Sequence, residues 1–167
     1  MSHASTLDLS RVHNLIHLYA ELVDEGDFDA LGSLFSRGSL TFSPGDLVLR
    51  GGREVSDFYK KTVIIDADTA SPRTVHRVYN TIVTSSGDGW HARSRYDVSQ
   101  FDAEQGVSVI ALGRYFDTFK AVGDECFFHT RKVLSEYLGD TQNHLTDLDF
   151  NYQKSPNSTL LKSHYSQ

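Results

Sequence analysis

Asp24 and Glu25 close the first amphipathic stretch of this 167-residue chain. A helix ending there would turn its negative dipole end toward them, where cations are the favoured neighbours. Two acids at that point break a local rule, and such conflicts gather at working sites. Periodicity alone leaves Asp24 outside the buried arc, as a surface acid. Later, His76 opens the run 75-VHRVYN-80 with Val78 and Ile82 on its face. His76 and Asn80 are therefore expected on the buried side of a strand, where polar side chains need partners. A lone inward His is ordinarily a satisfied core residue. A carboxylate beside it would make it a base working near neutral pH. Tyr19 sits at the centre of the first apolar arc, as a core aromatic or as a phenol reaching into a cavity.

Other combinations carry less. His13 and His17 have the four-residue spacing of a helical zinc pair but neither an intervening Glu nor an evident third ligand, so no metal site is expected. The glycines at 51–52 and 87–89 match neither GxxxxGK[ST] nor GxGxxG, and no GxSxG occurs. The single Cys126 cannot form an internal disulfide or a thiolate zinc site.

The elements that must position these residues follow from hydrophobic period. From Leu7 to Val23, apolar residues recur at helical spacing, with Thr6 or Asp8 as a possible N-cap. Asp24-Glu25-Gly26-Asp27 stops that helix, and Asp27 can cap a short second one through Phe28, Leu31, Leu34 and Phe35. Two short strands, Ser39–Ser43 and Leu47–Arg50, flank a Pro44-Gly45-Asp46 turn. A third helix is predicted over about Arg53–Ile64, then a loop over Asp66–Pro72. Four longer strands follow at about Thr74–Thr84, Trp90–Phe101, Val107–Lys120 and Glu125–Glu136, separated by hairpin-length turns. In the second of these, Trp90, Ala92, Ser94, Tyr96 and Val98 share the face that should point inward, while Arg93, Arg95 and Asp97 face out. Helices followed by antiparallel strands mean an α+β fold, a curled sheet half-closed by helices into a cone able to hold a small molecule. The domain is expected to span residues 1–137, with 138–167 a tail: a lid, an arm to a neighbouring subunit, or disordered.

Apolar residues make up 39% of the chain, and 16 Lys and Arg against 22 Asp and Glu leave a net charge of −6. That balance argues against a duplex nucleic-acid partner. No apolar run approaches the roughly 18–20 residues of a bilayer span. The start, MSHASTLDLSR, has neither a basic nor a hydrophobic leader region, so a cytoplasmic location is expected.

The segments 17-HLYAELVDEGDFDALGSLF-35, Gly51-Gly52-Arg53, 75-VHRVYN-80, 113-GRYFDTF-119 and 126-CFFHTRKV-133 resemble the SnoaL-like branch of the nuclear-transport-factor-2-like, cystatin-type superfamily. The likeness runs from about Leu7 to Glu136. It implies three N-terminal helices on a curved, mainly antiparallel sheet. The pattern is similar to that of scytalone dehydratase, bile-acid dehydratase and hexachlorocyclohexane dehydrochlorinase, cofactor-free enzymes in which an Asp after the first helix pairs with a strand His that removes a proton from carbon. The resemblance makes Asp24 the dyad acid and His76 the base, with Tyr19 contacting substrate. It gives Arg131 the role of stabilising departing charge and puts Tyr115 and Asn80 at pocket-lining positions. Tyr96 joins them from its inward phase. There are departures: no clear second histidine stands among the inward positions Ser94, Tyr96 and Val98, Asp97 is on the outward phase, and Cys126 replaces a Trp.

These readings lead to a cofactor-independent lyase or isomerase, of dehydratase or cyclase type, acting on a hydrophobic oxygenated small molecule. A homo-oligomer (dimer or trimer) paired through the outer sheet face is expected. The alternatives are a non-catalytic small subunit or binding module, as in aromatic-ring dioxygenases, and an epoxide-opening cyclase or hydrolase that relies on acids.

Overall fold

The computed structural model describes residues 6–146 apart from 88 and 105. Helix α1 (Thr6–Glu25) buries Val12, Ile16, Tyr19, Ala20, Leu22 and Val23, the face its period dictates. Gly26 ends it at φ 76°, a conformation that costs glycine nothing. Asp27 then caps α2 (Phe28–Ser33) by accepting from Ala30 N at 3.0 Å. β1 (Ser39–Ser43) and β2 (Leu47–Arg50) form the short hairpin. Helix α3 (Gly51–Thr62) crosses α2 where a Cβ on Gly32 would lie 2.5 Å from the Gly52 carbonyl oxygen, so the two glycines permit the close approach.

β3 (Thr74–Ser86), β4 (Gly89–Asp102), β5 (Gly106–Val122) and β6 (Glu125–Leu138) run as an antiparallel meander, and β1 joins β6 in parallel. The sheet order is β2-β1-β6-β5-β4-β3. The helices cover one face of this curved sheet, giving the α+β, cystatin-like cone. Its core joins α1 to the inner faces of β4, β5 and β6 through Phe35, Tyr96, Tyr115, Phe119 and Phe128. Tyr96 stacks on Tyr115 with centroids 4.4 Å apart, and Phe35 on Phe128 at 5.0 Å. Among the described residues, no helix is long and apolar enough to cross a membrane.

Two differences from the sequence reading matter for the site. Helix α3 stops at Thr62, two residues short of the expected Ile64. Val63 takes extended geometry and bridges Leu145, with Ile64 N donating to His144 O and Thr146 N to Thr62 O, both at 2.9 Å. After β6, residues 139–146 therefore run back across the end of α3 rather than away from the cone. Residues 147–167 of the expected tail lie outside the described residues. The second difference is a β-bulge in β3 between Tyr79 and Ile82, with Asn80 at φ 54°. The period of two breaks there, so Asn80 and Ile82 are exposed instead of sharing the inward face of His76.

Candidate active site

The acid at the end of α1 meets the first inward residues of β3. Asp24 Oδ1 lies 2.6 Å from His76 Nδ1 and accepts from Thr74 Oγ1 at 2.8 Å, while its Oδ2 accepts from the His76 backbone N–H at 2.7 Å. Three donors thus offset the unfavourable helix dipole at this carboxylate. They also tie the helix end to the strand. With Nδ1 held by Asp24, the ring orientation and tautomer are set, and Nε2 is the nitrogen left to act as a base. The His76 side chain is 10% exposed and the Asp24 side chain 20%, so the pair is shielded while His76 still reaches the cavity.

That cavity, about 270 Å³, lies between α1, α3, the inner sheet face and residues 141–146. Val23, Phe42, Phe58, Val98, Ile110 and Val133 make much of its wall apolar. Four tyrosines, Tyr19, Tyr59, Tyr96 and Tyr115, add hydroxyls. Tyr19 Oη and Tyr59 Oη are 2.5 Å apart. One phenol donates to the other, so the accepting hydroxyl keeps a proton for a further partner. Burial pushes both phenols up, Tyr19 against the opposing pull of Arg131, so both are neutral donors near pH 7. Burial raises Tyr115 well above its ordinary range as well. Tyr96 Oη pairs with Ser135 Oγ at 3.0 Å.

The structure brings Asp24, His76, Tyr19, Tyr96 and Tyr115 together, with Asp24 behind His76 and the other four on the cavity wall. It does not bring Asn80 or Arg131 to that wall. Asn80 is a correction that follows from the bulge: it borders an outward groove with Arg93, Arg95 and Arg114. Arg131 is a second correction. It is fully buried, donating Nε and Nη2 to Asp117 at 2.8 and 2.7 Å, with its guanidinium 4.2 Å from the ring centres of Tyr19 and Tyr115. The cation supports two wall tyrosines from behind instead of meeting a ligand.

Sequence reasoning missed His144. It lies in the stretch read as tail, where no period flagged it. It is 8% exposed, lines the cavity, and its Nδ1 has no hydrogen-bond partner. Burial lowers it to about 4, with His76 adding to the effect and Asp24 opposing it, so His144 is neutral at pH 7. Thr62 Oγ1, on the same cavity, is also buried without a partner. Among the described residues, no group of three or more His, Cys, Asp or Glu could hold a metal ion.

The chain is thus an α+β cone with a carboxylate–imidazole pair beside a mostly apolar cavity. The chain belongs to the SnoaL-like domain family, whose model matches residues 4–132. No curated protein sequence matches it. Among solved structures it is similar to three from Novosphingobium aromaticivorans. An NTF2-like protein with a cystatin-like fold is 20% identical, with a TM-score of 0.65 over 77% of this chain and 81% of that one. The beta subunit of a candidate aromatic-ring-hydroxylating dioxygenase is 16% identical, with a TM-score of 0.63 over 81% and 94%. A candidate scytalone dehydratase is 16% identical, with a TM-score of 0.62 over 81% and 88%. At these identities the likeness is one of fold.

Proposed function

We propose that this chain is a cofactor-independent lyase or isomerase, of dehydratase or cyclase type, acting on a compact hydrophobic molecule that carries oxygen. The observation that carries this reading is the 2.6 Å contact of Asp24 with His76 at the cavity. Asp24 holds the imidazole and stabilises its charged form, and Nε2 takes a proton from a carbon acidified by a neighbouring carbonyl. The hydroxyl proton left over in the Tyr19–Tyr59 pair serves the negative charge that develops on a leaving oxygen. A volume just under the roughly 300 Å³ at the lower end of drug-sized sites suits a molecule of one or two rings. The chain acts as a homo-oligomer paired through its outer sheet face.

The fold likeness to a dioxygenase beta subunit supports a second reading, a structural subunit without chemistry. A filled cone would favour that reading, and the cavity beside His76 favours the first. Exchange of the α-protons of 2-tetralone in D2O, followed by NMR, tests the base directly. His76→Ala and Asp24→Asn are each expected to slow exchange about 10²–10⁴-fold. Exchange near the wild-type rate in either variant would sink the dyad. A rate profile flat through the His titration range would point to acid-driven epoxide opening instead.

A further inference from the structure

Residues 139–146 form a strap whose backbone is tied at both sides of the cone. Gly139 N donates to Ile110 O, Ile64 N to His144 O and Thr146 N to Thr62 O, each at 2.9 Å. On the β4 side, Gln100 Nε2 donates to Asn143 O at 2.9 Å, and Asn143 Nδ2 to Asp102 Oδ2 at 3.1 Å. A polar side chain carried by so well-tied a segment is held in place, not left at a fraying end. Yet His144 Nδ1 and Thr62 Oγ1, one residue to either side of the Val63–Leu145 bridge, are buried and have no hydrogen-bond partner. Both line the cavity that His76 lines. Buried polar atoms are ordinarily paired, so two unpartnered ones on the wall of one cavity stand out.

We propose that His144 Nδ1 and Thr62 Oγ1 together bind the substrate's oxygen, that of a carbonyl which bears, directly or through a vinyl unit, the carbon that His76 deprotonates. The substrate class is thereby narrowed to small hydrophobic ketones or their vinylogues. This rests on the Asp24–His76 base reading. In the step, the C–H electron pair becomes the carbon–carbon double bond of an enolate, the carbonyl π pair moves onto oxygen, and the proton goes to His76 Nε2. His144 and Thr62 retain their own protons and donate them as hydrogen bonds to the enolate oxygen. A neutral imidazole suits this role, since it donates without surrendering its proton and adds no second cation beside His76. The low affinity of buried His144 for a proton agrees with that.

The test compares fluorescence-detected binding of 2-naphthol, an enol mimic, with that of naphthalene, which has the same rings and no oxygen. At pH 7 the wild-type chain is expected to prefer 2-naphthol at least tenfold. His144→Phe, which keeps a ring of similar bulk, should bring that preference below threefold, and Thr62→Val should reduce it. His144→Gln, which keeps an N–H donor, should recover part of it. His76→Ala should abolish 2-tetralone exchange while leaving the preference in place, which separates the oxygen site from the base. A preference that survives His144→Phe overturns the proposal even if the dyad stands, and so does failure of the wild-type chain to bind either probe. Thermal melting of each variant distinguishes a lost hydrogen bond from a lost strap: a Phe variant that melts early while His144→Gln melts normally leaves the Gln and Thr62→Val results to decide. An unchanged preference in both of those overturns the proposal.

Discussion

Asp117 and Arg131 show how a charged pair can matter to a cavity it does not line. Both side chains are fully buried, joined by a bidentate contact, and the guanidinium lies between Tyr19, Tyr115 and Phe128. Removing one partner strands the other charge without water, which costs about 3–5 kcal/mol, whereas replacing both with apolar residues of similar volume is often near neutral. Asp117→Ala is therefore expected to lose about that much in urea denaturation, and Asp117→Leu with Arg131→Met to recover most of it. At Asp24 the geometry also explains the broken helix-end rule. Its carboxylate receives donors from Thr74 and His76, so the local conflict resolves in a tertiary contact.

The strap is the element on which stability and site depend together. Its His144 has a folded-state value of about 4 against the usual 6.5 of an exposed imidazole, chiefly because burial penalises the cation. As pH falls below 6.5 the unfolded state takes up the proton first. The stability present above that pH is then lost progressively down to about 4, by at most about 3 kcal/mol. Urea titrations at pH 7 and pH 4.5 should therefore show a smaller acid-induced loss in His144→Gln than in the wild-type chain. Equal losses would mean that His144 does not titrate as a buried base. The strap docks because α3 ends at Thr62, freeing Val63 and Ile64 to form a bridge that two further helical residues would have precluded.

For the molecule as a whole, the sheet presents two unlike faces. The inner one packs on α1 and lines the cavity. The outer one leaves Val75, Tyr79, Leu112 and Tyr137 exposed among the ion pairs Arg77–Asp97, Arg95–Glu136 and Arg114–Glu136. Tyr and Arg side chains together on one face are the composition that interfaces favour. Sedimentation is expected to show a homo-oligomer that Tyr79→Glu with Tyr137→Glu dissociates. A monomer in the wild-type chain would contradict this. Both substitutions face away from the cavity, so folding and probe binding in the monomeric variant should persist.

Much of this architecture was legible because period is a local property. Val12, Ile16, Tyr19 and Val23 specify the buried face of α1, and the alternation from Trp90 to Val98 specifies the inner face of β4 without knowledge of what packs against either. The hairpin turns are written in equally local chemistry. Asn80 marks where such reasoning fails, since one bulge inverts every expectation beyond it. Arg131 fails differently: a resemblance matches a residue to a motif position but does not say whether its side chain meets a cavity or an acid on the next strand. The Asp24–His76 contact needed α1 to cross β3 at one level, and His144 needed the chain to return after β6. Both depend on loop closure and packing between segments far apart in sequence. No local pattern encodes that geometry, so only the folded chain decides which polar residues share the cavity.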